Sequence, residues 1–173
     1  MMHWPNRFFQ SSFQKTTALA SAAAGVFYLL DQLTKEMVVQ SIPIGKMIPV
    51  IPGFFSLTHI TNPGAAWGIL AGRAWLLLAI SIAAFAAIVF FLRHLSENYP
   101  ERIFALLAVC SGIAGNCTDR IARGEVVDFL LFYIGRYHWP AFNVADICIS
   151  CGVFVFVLSS LFRPDRKKKH AEQ

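Results

Sequence analysis

Four apolar stretches divide the chain, and polar residues collect between them together with prolines, glycines and aromatics. The first runs from about Thr17 to Val39, the second from Ala74 to Leu92, the third from about Ile103 to Ile121 and the fourth from about Val144 to Phe162. Runs of this length and apolarity predict bilayer-spanning helices. With a rise of about 1.5 Å per residue, Asp31 stands roughly 21 Å along the first, and Lys35 lies nearer its far end. Between the first two runs, Ser41 to Gly72 holds Pro43, Pro49, Pro52 and Pro63. Its β-prone pieces, Met47 to Ile51 and Phe54 to Ile60, read as short strands broken by turns. The connection from Ala122 to Phe142 adds Phe129, Phe132, Tyr133, Tyr137 and Trp139. With Phe54, Phe55, Trp67 and Trp75, these suit the headgroup layer, where amphipathic aromatics settle.

Composition sharpens this picture. Of 173 residues, 56% are apolar and 14% charged, against roughly 25% charged in a soluble globular domain. A soluble enzyme with one packed core, a disordered chain and a disulfide-stapled secreted domain are thereby excluded. The expectation is one membrane-embedded domain over residues 1–173, ending in a basic tail at 163–173. The net charge of +5 does not call for nucleic acid, because basic residues cluster beside the apolar runs and in that tail. Arg7, Lys15, Arg93, Arg102, Arg163, Arg166, Lys167, Lys168 and Lys169 would flank one face, against Lys46, Arg73, Arg123 and Arg136 on the other. The positive-inside rule then puts both termini in the cytoplasm and residues 40–73 and 122–143 outside. Arg7 and Lys15 precede the first run as they would in a signal peptide. However, its small residues open the run instead of closing it, so it is expected to stay on the chain.

Ionisable groups within spans are expensive and point to function. Asp31 and Lys35 are four apart in the order that favours an ion pair, either bracing helix one or facing a substrate. Asn116, Asp119 and Arg120 share a stripe of the third helix, where Arg120 can hold a carboxylate bidentately. The plainer reading of Asp119 and Arg120 is a tie between that helix and the outer connection. Gly112 and Gly115 on the same helix permit close approach of a neighbour. Asn143 is a good N-cap for the fourth helix, with Asp146 in its first turn. Asp128 and Asp146 are expected on the same outer face at similar depth. Two carboxylates facing each other in a partly dry site share one proton, an arrangement suited to amide hydrolysis. Otherwise Asp146 stabilises the positive end of its helix and Asp128 is a solvated loop acid.

Two other chemistries fit some of these residues. Cys110, Cys117, Cys148 and Cys151 could ligate a metal or cluster, although the two pairs differ in rise, about 10 Å against about 4.5 Å. Buried apolar filler is their plainer role. A small ion or proton transporter could use Asp31, Lys35, Asp119 and Asp146 as a relay, but the acids gather at one face and no polar line crosses the second helix. His3, His94 and His170 fall in inner segments, and His59 and His138 read as isolated surface or interfacial residues of the outer ones.

Five blocks carry a resemblance: Asp31-Gln-Leu-Thr-Lys35, Asn62-Pro-Gly-Ala-Ala-Trp-Gly68, Ser111-Gly-Ile-Ala-Gly-Asn-Cys-Thr-Asp-Arg120, Val126-Val-Asp-Phe129 and Phe142-Asn-Val-Ala-Asp146. In this order, at these offsets from four apolar runs, the chain resembles the lipoprotein signal peptidases, the type II signal peptidases of bacteria, over roughly residues 17–162. The resemblance implies an all-α membrane protein of four transmembrane helices, with a small extracytoplasmic β-sheet between helices one and two. It further implies an aspartic endopeptidase of the bacterial inner membrane that cuts prolipoproteins just before a diacylglyceryl-modified cysteine. Asp128 and Asp146 match the catalytic pair. Asn62, Asn116, Arg120 and Asn143 match positions that line or brace the site. Asp31 and Lys35 match the polar pair of helix one, and Asp119 matches a structural acid. No metal or other cofactor is implied; the partners are lipidated substrate, membrane lipids and globomycin-type inhibitors.

Overall fold

The structure is a computed structural model, described here for residues 7–64, 70 and 72–163. Trp67 and the basic run Arg166 to Lys169 lie outside the described residues, as do His3 and His170. Four helices and four strands follow in the order α1 (Arg7–Ser41), β1 (Met47–Ile51), β2 (Phe55–Asn62), α2 (Ala74–Ser96), α3 (Pro100–Arg123), β3 (Val126–Ile134), β4 (Tyr137–His138) and α4 (Val144–Phe162). The molecule is therefore mostly helical with one small antiparallel sheet.

The third helix is the axis of the bundle, packed against α1, α2 and α4. Pro100 at its first turn and Gly124 in the left-handed conformation at its C-cap set its limits, because proline costs nothing at an N-terminal turn and glycine accepts positive φ. Glycine also lets α4 close on it. A Cβ at Gly112 would overlap the Ala145 carbonyl, and one at Gly115 would meet the Asp31 carboxylate. Helices α2 and α4 are long and apolar enough to cross a membrane. They bury few side chains, while Phe90 is 82% and Phe162 79% exposed. Large apolar surfaces left bare along a whole helix need an apolar solvent. The other two helices carry charged and amide groups near one end of the bundle, and of these Asp31, Lys35, Asn116 and Asp119 are buried.

The sheet has the order β1-β2-β3-β4. This corrects the expected placement between helices one and two, since half of its strands come from the α3–α4 connection. The run Val-Val-Asp-Phe-Leu-Leu-Phe-Tyr-Ile from Val126 is a nine-residue strand. It is β-branched and aromatic, and it gives β2 the second partner that a two-stranded hairpin lacks. Val127 and Phe129 pack on Val38 and Ile42 of α1, and by strand alternation Asp128 faces the other way. His59, expected at the surface, is 4% exposed, its Nδ1 2.7 Å from the Ile42 carbonyl oxygen. It joins the end of α1 to β2.

Candidate active site

Asp128 reaches its place through β3. Ile60 opposes Asp128 and Asn62 opposes Val126, so Asn62 is the diagonal neighbour of Asp128 on the same face of the sheet. Asn62 Nδ2 donates to Asp128 Oδ2 at 3.0 Å. Asp128 is 3% exposed and lies in a strand, which removes the reading of it as a solvated loop acid. Phe142 accepts from the N–H groups of Phe129 and Leu130 and donates to the Leu130 carbonyl. Its ring stacks on Phe132, centroids 5.9 Å apart. The residue before Asn143 is thereby clamped to β3, and α4 must begin beside Asp128.

Asn143 then joins the two acids. As N-cap of α4 its side chain accepts from the Asp146 N–H at 3.0 Å, and its own N–H donates to Asp146 Oδ2 at 3.2 Å. The amide of the same residue donates to Asp128 Oδ1 at 2.7 Å. The capping box that starts the helix is thus also the bridge between the carboxylates. Asn116 Nδ2 donates to Asp146 Oδ1 at 2.9 Å. Among the described residues, each carboxylate oxygen of the pair has one donor, and each of those donors is a neutral amide.

Burial, and after it the neighbouring Asp146 carboxylate, push the Asp128 carboxyl up to about 7 against the opposing pull of Asn62, Asn143 and Lys35. A carboxyl in that range carries a proton in part of the population at neutral pH and can give it up.

One turn deeper sits a second group of charges. Lys35 Nζ is 2.8 Å from Asp31 Oδ2 and 3.0 Å from Asp119 Oδ2, all three side chains buried. It also donates to Asn116 Oδ1 at 3.1 Å. Asp31 Oδ1 accepts the Ala145 N–H at 2.8 Å. Asp119 accepts from Val127 N at 3.2 Å and from Arg123 at 2.8 Å, and Arg123 pairs with Glu36 at 2.6 Å. The group therefore ties α1, α3, β3 and α4 together beneath the acids.

Asn62, Asn116, Arg120, Asp128 and Asp146 line one cavity of about 510 Å³, which Asn143 borders through its bonds to both acids. Trp139 to Phe142 line it as well, and Ile147 to Cys151 extend it along an apolar face of α4. Arg120 makes the plainer of its two expected contacts, a tie from the third helix, and not the bidentate carboxylate pair. Its guanidinium donates to the carbonyls of Asn116 and Gly64, at 3.3 and 3.0 Å, and pairs with no carboxylate among the described residues. It holds the outer segment after β2 to α3. Asp31, Lys35 and Asp119 lie behind the wall and reach the cavity through Asn116. Glu36 and Arg123 complete the charge network without having been expected there. Arg123 falls four residues after Asp119 on the same helix, a pairing signal that the sequence does contain. Cys110, Cys117 and Cys148 are buried and Cys151 exposed, all as free thiols.

Two buried carboxyls at one cavity, beside a mostly apolar stretch of α4, are a grouping that can serve acid–base hydrolysis of an amide when they share one proton.

Comparison with known proteins agrees with that chemistry. The family model for signal peptidase II (Peptidase_A8) matches residues 23–162. The chain is 42% identical over 159 residues to a lipoprotein signal peptidase of Syntrophus aciditrophicus, covering 89% of this chain and 99% of that one. It is 44% identical over 140 residues to one of Symbiobacterium thermophilum, covering 81% and 92%. Among solved structures, a bacterial membrane enzyme determined by the in meso method superposes with a TM-score of 0.77 at 34% identity, over 85% of this chain and 88% of that one.

Proposed function

This chain belongs to the signal peptidase II family, and we propose on that footing that Asp128 and Asp146 are its catalytic pair. As a member it is a membrane hydrolase that removes signal peptides from prolipoproteins. The family settles the choice against a transporter or a four-cysteine redox protein.

All four helices cross the bilayer in this reading, including α1 and α3, whose polar residues gather at the end that carries the sheet. Both termini face the cytoplasm and the acids sit at the extracytoplasmic rim of the inner membrane. A signal peptide lies along the bundle, and the acyl chains of its diacylglyceryl-cysteine follow the apolar floor from Ile147 to Cys151. The bond just before that cysteine then meets the acids. One carboxylate takes a proton from water, which attacks the carbonyl carbon, while the other carboxyl protonates the carbonyl oxygen. Collapse of the resulting diol breaks the C–N bond and passes a proton to the leaving amine. Asn62, Asn116 and Asn143 fix the orientation of the acids, Arg120 fixes the rim, and Asp31, Lys35 and Asp119 fix the helices beneath. Globomycin-type cyclic peptides would occupy the same cavity.

The observation that carries this reading is Asn143, one residue bonded to both acids at the edge of the cavity. Purified protein should be incubated with a lipidated prolipoprotein peptide. Asp128→Asn and Asp146→Asn should each lower kcat/KM by about 10³-fold or more with helix content unchanged. Near-normal cleavage by either folded variant overturns the reading.

A further inference from the structure

We infer that the proton shared by the two acids resides on Asp128, leaving Asp146 to activate water, and that Lys35 sets this order as a positioning residue acting through Asn116. This deepens the catalytic reading above and rests on it.

The number of donors does not separate the two acids, since each accepts two. What differs is the polarity behind those donors. Asp146 lies in the first turn of α4 and accepts a backbone N–H at the positive end of that helix, which favours an anion. Its other donor, Asn116, accepts from the Lys35 ammonium at its Oδ1. A cation pulling on the amide oxygen makes the same amide a stronger donor at its nitrogen, because hydrogen bonds in series polarise one another. Positive charge is thereby relayed from α1 through α3 to Asp146.

Asp128 has weaker backing: Lys35 acts on it through space, but neither of its amide donors accepts from a cation. It sits mid-strand, away from any helix end, and its donors are Asn62 and Asn143. The Asn143 Nδ2 is divided among Asp128, the Val127 carbonyl at 3.3 Å and Asn116 Oδ1 at 3.3 Å. The remaining charges do not reverse this order. Arg120 of α3 is engaged with two carbonyls. Asp31 of α1 and Asp119 of α3 are both held by Lys35, and Asp119 also by Arg123. The near-neutral value at Asp128 agrees.

In the reaction the water oxygen bonds to the carbonyl carbon as its proton passes to Asp146, and Asp128 gives its proton to the carbonyl oxygen. The diol returns a proton to Asp128 as the C–N bond breaks, and Asp146 protonates the amine. Both acids end as they began.

Infrared spectroscopy of protein labelled at aspartate reads the proton directly. Near pH 6, about one unit below the Asp128 value, a protonated-carboxyl band should persist in Asp146→Asn and be absent from Asp128→Asn. Lys35→Met should move the acidic limb of the kcat/KM profile upward by about one pH unit and the alkaline limb by much less, because Lys35 reaches Asp128 only through space and Asp146 through Asn116 as well, with Lys35→Arg restoring both. If Lys35→Met does not fold, Asn116→Ala breaks the same relay and should move the same limb. The reverse band order, or limbs that move together or not at all, overturns the inference while the pair itself stands. Near-normal turnover in either folded Asp→Asn variant would instead remove the catalytic reading.

Discussion

Two pairs of aspartates lie a helical turn apart, and they are held in opposite ways. Asp31 and Asp119 close on Lys35, with Arg123 and Glu36 extending the chain of charges to the surface. Asp128 and Asp146 receive only amide hydrogens and border the cavity. A buried carboxylate with a cation in contact has its charge balanced in place and holds together the elements that the pair joins. A buried carboxylate with only amides and a second carboxylate beside it is left in chemical tension. What separates bracing from chemistry here is the placement of one lysine, which reaches the first pair directly and the second through a single amide.

Removing that lysine should disturb the braced pair most. Lys35→Met leaves Asp31 and Asp119 buried without their shared cation, a change that costs on the order of 3–5 kcal/mol. Thermal unfolding in detergent should show it as a large drop in Tm, whereas an unchanged Tm would mean that the three groups are not coupled. Asp119→Asn is expected to cost less, about 2 kcal/mol, because Lys35 keeps Asp31 while its own pair with position 119 and the bonds to Val127 and Arg123 weaken.

The reactive pair should respond in the other direction. A carboxyl held near 7 when folded and at its ordinary value when unfolded binds more protons in the folded state between those limits. Its contribution to stability is therefore full at low pH, falls as pH rises through that window, and is lost above about 7. Asp128→Asn escapes this penalty. Its Tm should match wild type near the unfolded carboxyl value and exceed it above neutral pH, by roughly 1–3 kcal/mol of stability. A variant less stable than wild type at every pH would show that Asp128 is bracing after all. The smallest effect is expected at the exposed end of the network. Arg123→Ala should cost about 1 kcal/mol or less, read as a small Tm shift that added salt diminishes.

Much of this was legible in the sequence, because spacing on a helix translates directly into shared faces. Asp31 and Lys35, the stripe from Asn116, and Asn143 with Asp146 lie where a period of 3.6 puts them. The apolar run of α4 has its observed limits, and the run of α2 extends only to Ser96. Strands were harder to see. Val126 to Ile134 is apolar enough to pass for an interfacial connection, and its role depends on β2, more than sixty residues away, pairing with it. That pairing alone moves Asp128 from a loop into a buried strand. His59 is buried for the same reason, since only the fold brings it to the end of α1. Arg120 keeps the bracing role that its stripe suggested, though not through a carboxylate. Its position on the helix is as expected, but its partners are backbone carbonyls, which have no signature in side-chain spacing.

The central claim is that one pair of acids does the chemistry and the other holds the frame. Turnover of a lipidated prolipoprotein peptide, measured alongside Tm for Asp→Asn at positions 31, 119, 128 and 146, tests it most directly. The account predicts that Asp128→Asn and Asp146→Asn abolish cleavage without lowering Tm at neutral pH, while Asp31→Asn and Asp119→Asn lower Tm and keep measurable cleavage in whatever protein remains folded. Cleavage by a folded Asp128→Asn or Asp146→Asn variant at near the wild-type rate would contradict it.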